Sequence, residues 1–284
     1  MLFINKIHIY ILILNFLILI NTANAEIAKF SDLSQIENII QTLDRDTLVI
    51  FDVDHVLIMP NDESTLNRSL YRKNLWQRVQ KRLSVEKANI LYSIILLSSK
   101  WRLIDPHIIN ILNYLQNYHI PTIALTSFNT GKIGMIKKME DLRIRDLQSV
   151  SIDFTHLTPF KDEIVAHELR SKFGAPILKS GIILTANHDK AIVLEYFLRH
   201  INYYPKTIFF VDDQLKNLES LEKLCNKLKI KFYGFHYTAA LRVPEPIIDM
   251  KIENLRFKIL ETDNLWLTYD EIRNRKLSKL TNYH

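Results

Sequence analysis

Asp52 and Asp54, with one residue between them, follow the apolar stretch TLVIF in the run TLVIFDVDHVL at Thr47–Leu57. Residues two apart on a strand point to the same side, so both carboxylates sit together at a strand's C-terminal tip, where ligands bind in open α/β sheets. A second acidic pair, Asp212 and Asp213, ends the apolar run TIFFVDD. Adjacent like charges are costly unless a cation or a chemical task offsets them. Two other strand ends are also polar: Thr126 and Ser127 follow TIAL, and Lys190 opens the helix that follows GIIL.

The elements that must position these residues alternate. Strands are predicted at Thr47–Phe51, Thr122–Leu125, Gly181–Leu184, Thr207–Val211 and Ile230–Phe235, all continuous apolar runs of the kind a sheet covered on both faces requires. Helices are predicted at Asp32–Leu43, after the Asp105-Pro106 cap, at Lys190–Ile201 and at Leu215–Leu228, each with an apolar stripe at helical spacing. This alternation predicts an α/β fold with a doubly wound parallel sheet. Two insertions interrupt it. Pro60–Ile104 reads as two helices without a strand, the first after Ser64 and the second after the cap Ser84, and lies where a lid would cover the first acidic tip. Gly131–Ser180 begins as a helix carrying Met135, Ile136 and Met139, and Ser151–Phe154 reads as extended. The tail, Met250–Ile272, is expected to pack as a helix on the core.

Taken in order, FDVDHVL, IALTS, Lys190 in NHDKAIVLEYFL, and FFVDD resemble the four motifs of the haloacid-dehalogenase-like (HAD) hydrolase superfamily, over about residues 47–217. The resemblance implies a HAD-like, Rossmann-like core at about 26–59 and 105–284 with a helical cap at about 60–104. It implies Asp52 as the nucleophile that forms an aspartyl-phosphate and Asp54 as general acid and base. Thr126 would bind a phosphoryl oxygen and Lys190 would balance charge; Ser127 leaves the choice of hydroxyl open, with Thr126 preferred as first after the strand. Mg²⁺, a hard cation suited to oxygen ligands, would be held by Asp52, the Asp54 main-chain carbonyl and Asp212, with Asp213 completing or orienting the site. An acid two residues after the nucleophile marks the phosphatase and phosphomutase branches, so the resemblance implies phosphoryl transfer, and the export predicted below favours hydrolysis of a small phosphomonoester over mutase chemistry. His55, where the family often has glycine, reads as a solvated turn residue, and Asn187 as a helix cap. The third motif and long tail resemble an uncharacterised exported bacterial branch. The rival expectation is a HAD-fold module that no longer turns over and serves interaction at the envelope or a host interface.

Composition limits the remaining options. Lys6, the apolar run Ile7–Ile20 and Ala23-Asn24-Ala25 have the layout of a secretory signal peptide. This predicts cleavage after Ala25, a mature start at Glu26, a periplasmic or secreted destination and no membrane span thereafter. The net charge of +6 falls to +5 without that leader, which contains one lysine and no acid. The excess is spread along the chain, so no nucleic-acid partner is expected. Cys225, the single cysteine, excludes an intramolecular disulfide and reads as a buried helical thiol. The five glycines form neither a dinucleotide fingerprint nor a P-loop. No HExxH or Gly-x-Ser-x-Gly pattern occurs. Trp76, Trp101 and Trp266 read as packing anchors.

Overall fold

A computed structural model describes residues 27–62 and 70–274. The predicted leader at 1–25, Glu26 and the helix start predicted after Ser64 lie outside them. Ten strands are described: β1 (Ala28–Phe30), β2 (Thr47–Phe51), β3 (Ile58–Pro60), β4 (Trp101–Leu103), β5 (Thr122–Thr126), β6 (Ile164–Val165), β7 (Ile177–Lys179), β8 (Ile182–Leu184), β9 (Thr207–Asp212) and β10 (Lys231–Tyr237). The helices are α1 (Ser34–Ile40), α2 (Leu70–Arg82), α3 (Val85–Ser98), α4 (Ile108–Asn117), α5 (Met139–Gln148), α6 (Lys190–His200), α7 (Leu215–Leu228) and α8 (Met250–Asp263).

The eight-stranded central sheet has the order β1-β10-β9-β2-β5-β8-β7-β6. Every pairing from β1 to β8 is parallel, while β7 and β6 add antiparallel pairings at one edge. Alternate residues of β2 face opposite layers. Val49 and Phe51 join α1 and α4, whereas Leu48 and Ile50 join α6 and α7. Helices therefore cover both faces, and the predicted doubly wound α/β class is present. The chain runs outward from β2 to β5 and β8, then crosses to β9 and β10 on the other side. That reversal opens a crevice beside β2, where such sheets bind ligands.

Several local expectations change. The insertion after β2 contains α2 and α3 but is also framed by strand: β4 pairs antiparallel with β3 as a stem. Residues 131–138 are loop, and the helix starts only at Met139; Met135 is exposed, and Ile136 and Met139 pack in a small separate cluster. Residues 151–154 join no strand. The tail helix stops at Asp263, where Asn264 takes a left-handed cap conformation. Its Phe257 and Leu260 pack with Leu75, Val79, Leu91 and Ile95 of α2 and α3, not on the sheet. An apolar stripe shows that a face is buried but not what covers it.

Candidate functional site

Strand register brings the site together. Phe51 pairs with Val211 on one side and with Ala124 on the other. Asp52 is thus level with Asp212 on β9, and Thr126 lies one residue beyond it on β5. The Asp52 amide donates to the Val211 carbonyl at 2.9 Å, which carries the parallel pairing to the strand tip. After Asp54 the backbone turns sharply at His55 (φ +66°), a conformation that favours glycine and explains why glycine suits this place.

Lys190 arrives from the opposite side. Ala186 and Asn187 both have positive φ (+48° and +61°), so the chain leaving β8 folds back tightly before α6. Asp189, not Asn187, caps that helix by accepting from the amides of Ala191 and Ile192. The Asn187 side chain instead donates to Asn129. As the first helical residue, Lys190 points into the crevice and is buried. Its Nζ lies 2.7 Å from Asp52 Oδ1 and 2.7 Å from Asp212 Oδ2.

Asp212 is held from all sides. Oδ1 accepts from the Gln214 amide at 2.7 Å and from Asn217 Nδ2 at 3.0 Å, while Oδ2 faces Lys190. Asp213 accepts from Gln214 Nε2 at 2.7 Å and has His55 Nδ1 at 3.6 Å. Although burial opposes it, these neighbours hold the Asp213 carboxyl below its ordinary value. His55 is raised, chiefly by Asp213 and against burial. It is exposed as expected of a turn residue, yet it also faces this carboxylate.

Burial dominates at Asp52. Desolvation pushes its carboxyl up to about 8, with Asp212 and Asp54 adding to the rise and Lys190 opposing it. For Lys190, burial pulls downward, but the Asp52 and Asp212 carboxylates more than offset it and hold the ammonium charged. One lysine therefore faces two buried carboxylates, and a third lies beside them. Asp52, Asp212 and Asp213 each offer an oxygen, and these atoms lie within 4.8 Å of one another. Three hard oxygen donors in excess negative charge suit a divalent cation such as Mg²⁺.

The Thr126 hydroxyl is buried, with no hydrogen-bond partner among the described residues. An unpaired buried hydroxyl costs about 1–3 kcal/mol, which a ligand pairing with it would offset. Ser127 is exposed. Asp54 is half-buried at the same strand tip and accepts at Oδ2 from Arg143 Nη2 at 3.1 Å.

Two contributors lie outside the sequence reading. Asn217, in the first turn of α7, bridges both Asp212 oxygens. Arg143 lies on α5 with Glu140 and Asp146, and all three are buried. Their spacing of three was the available signal, but charges at helical spacing ordinarily mark a solvated face.

A profile of the family described as "Protein of unknown function (DUF2608)" matches residues 29–273. The chain belongs to the DUF2608 family. Its similarity extends to an uncharacterised protein of Rickettsia bellii (strain RML369-C), 28% identical over 244 residues, covering 82% of this chain and 83% of that one. An uncharacterised protein of Rickettsia prowazekii (strain Madrid E) is 26% identical over 242 residues, covering 83% and 85%. Among solved structures, a haloacid dehalogenase-like family hydrolase from Streptococcus pneumoniae, SP0104, aligns with 75% of this DUF2608 chain and 98% of its own, at a TM-score of 0.35 and 17% identity.

Proposed function

We propose that this DUF2608 protein is a Mg²⁺-dependent phosphohydrolase of the HAD kind, acting on a small phosphomonoester. One observation carries the reading: Lys190 joins the buried Asp52 and Asp212 at the sheet's reversal point. The orphan Thr126 hydroxyl on the neighbouring strand supports it.

The residues divide the work as follows. An Asp52 oxygen attacks phosphorus, and the bond from phosphorus to the ester oxygen breaks. Asp54 gives its proton to the departing oxygen, then takes one from the water that attacks the aspartyl-phosphate. Phosphate leaves and the Asp52 carboxylate is regenerated. Thr126 donates to a phosphoryl oxygen, and Lys190 favours the ionised form of Asp52 against its burial and balances developing charge. Asp52, Asp212 and the Asp54 carbonyl would hold a divalent cation, with Asp213 completing or orienting that site, and the cation would supply charge neutralisation at the phosphoryl group.

Phosphate release from a panel of phosphomonoesters, with and without Mg²⁺, tests this directly. Asp52→Asn is expected to lose at least about a thousandfold, since the attacking group is gone. Asp212→Asn is expected to lose the rise in melting temperature that Mg²⁺ produces in the parent protein. Full turnover in Asp52→Asn ends the proposal, and no release by folded protein shifts weight to the non-catalytic interaction module. Residues 1–25 are proposed as a cleaved leader, on their charged, apolar and small-residue layout. Among the described residues no helix is long and apolar enough to cross a membrane. Exported protein whose first residue is Met1 would refute cleavage.

A further inference from the structure

Arg143 is buried to 1% side-chain exposure. Its guanidinium lies over the Phe128 ring at 3.9 Å and the Trp101 ring at 5.0 Å. Nη2 donates to Asp54 Oδ2, whereas Nε and Nη1 are buried without hydrogen-bond partners among the described residues. A buried guanidinium with unpaired donors is a poor choice for stability, since an apolar side chain of similar volume would pack there without the desolvation cost. The two aromatic faces partly hold the charge. They also fix the plane of the guanidinium, so its ion pair with Asp54 has a defined direction.

That contact falls on one oxygen of the Asp54 carboxylate. Among the described residues no hydrogen bond is made to the other oxygen. Three separate elements meet here: the β2 tip supplies Asp54, the stem strand β4 supplies Trp101, and the loop after β5 supplies Phe128.

We propose that Arg143 is a positioning residue for proton transfer by Asp54. It holds Oδ2 so that Oδ1 faces the departing ester oxygen in the first step and the attacking water in the second. Arg143 itself touches neither substrate nor phosphorus. The inference rests on the phosphohydrolase reading, and its substance is that the geometry of the proton donor is set from α5 and the stem of the insertion.

A series of substituted phenyl phosphates of increasing leaving-group basicity separates this role from a structural one. An activated leaving group departs with little help, whereas a basic one needs the proton. Arg143→Met keeps an apolar side chain between the two rings. Its kcat is expected to fall at least tenfold more on the most basic leaving group than on the least basic, with KM within threefold of the parent. The slope should match that of Asp54→Asn, and Arg143→Met should add nothing in the Asp54→Asn background. Arg143→Lys, which retains a donor, should recover part of the loss. Melting curves check that each variant is folded.

An equal loss across the series, an effect carried by KM, or an additive loss in the double variant would overturn the positioning role while leaving the phosphohydrolase reading intact. If the parent turns over none of the esters, both are overturned.

Discussion

Asp146 lies three residues beyond Arg143 on the buried face of α5, and burial pushes its carboxyl up to about 6. The pull of Arg143 and Arg145 is too weak to reverse that, and Asp54 adds to the rise. The folded protein therefore keeps this proton to a higher pH than the unfolded chain, where the group ionises near 3.8. Stability falls as pH rises through about 4 to 6, and the burial cost is fully present above that window. A rise of this size corresponds to as much as ~3 kcal/mol against folding at neutral pH. Asp146→Asn removes the charge, so it is expected to raise the urea midpoint at pH 7.5 and to lose that advantage towards pH 4. An advantage independent of pH would show that Asp146 ionises normally. At this scale the acidic pairs Asp52 and Asp54, and Asp212 and Asp213, were legible because strand ends announce themselves by an abrupt change from apolar to polar, whereas Thr126 and Lys190 became candidates only through the order of all four motifs. Arg143 and Asn217 were not, because nothing local tells a helix residue which strand tip it will meet.

The elements differ in how much of their placement is local. β2, β5 and β9 are long apolar runs buried on both faces, and their identity needs no partner to be seen. β1, β3, β4 and β7 have three residues each and β6 has two, so pairing alone makes them strands. The 131–138 loop shows the same dependence. It docks on α3, where the Met135 amide donates to Ser93 Oγ at 3.0 Å and Ile136 joins Leu96 and Phe128. Gly134 (φ +53°) makes the approach possible, because a Cβ there would collide with the Asn89 carbonyl oxygen and the Ser93 hydroxyl. Gly134→Ala is expected to cost about 2–4 kcal/mol, combining the collision with a left-handed backbone. Chemical denaturation measures it, and a loss under about 0.5 kcal/mol would mean that the loop can part from α3 without consequence.

Across the whole molecule, the two insertion helices are held by the far end of the chain. Arg256 on α8 is fully buried, donates from Nε to the Leu267 carbonyl at 2.8 Å and pairs with Glu253 at 2.6 Å. It also pairs with Asp62 just after β3 and lies over Trp266 at 4.1 Å. Trp266 in turn packs edge-on against Phe257, and Trp76 lies beside Tyr92, which bears out their reading as packing anchors. Breaking a buried pair by removing one partner costs about 3–5 kcal/mol. Arg256→Ala is therefore expected to loosen α2 and α3 before the sheet, so limited proteolysis should cut first between residues 63 and 100. A cleavage pattern unchanged from the parent would argue that α8 does not hold the insertion.

The sequence by itself determined the alternation of strands and helices, the burial of Cys225 in α7 and the strand tips that carry the acidic pairs. These follow from periodicity and from the position of polar residues at the ends of apolar runs, which are local properties. Cys225 is fully buried, and desolvation pushes its thiol up to about 12, as an inert core thiol requires. Tertiary structure alone decided that α8 covers the insertion, that the 131–138 loop reaches α3, and that Arg143 meets Asp54. Each of these depends on which distant surface closes over a face, and chain connectivity constrains that choice only weakly. The same physics explains why the charged stripe of α5 misleads: helical spacing marks a shared face, but only packing decides whether that face meets water.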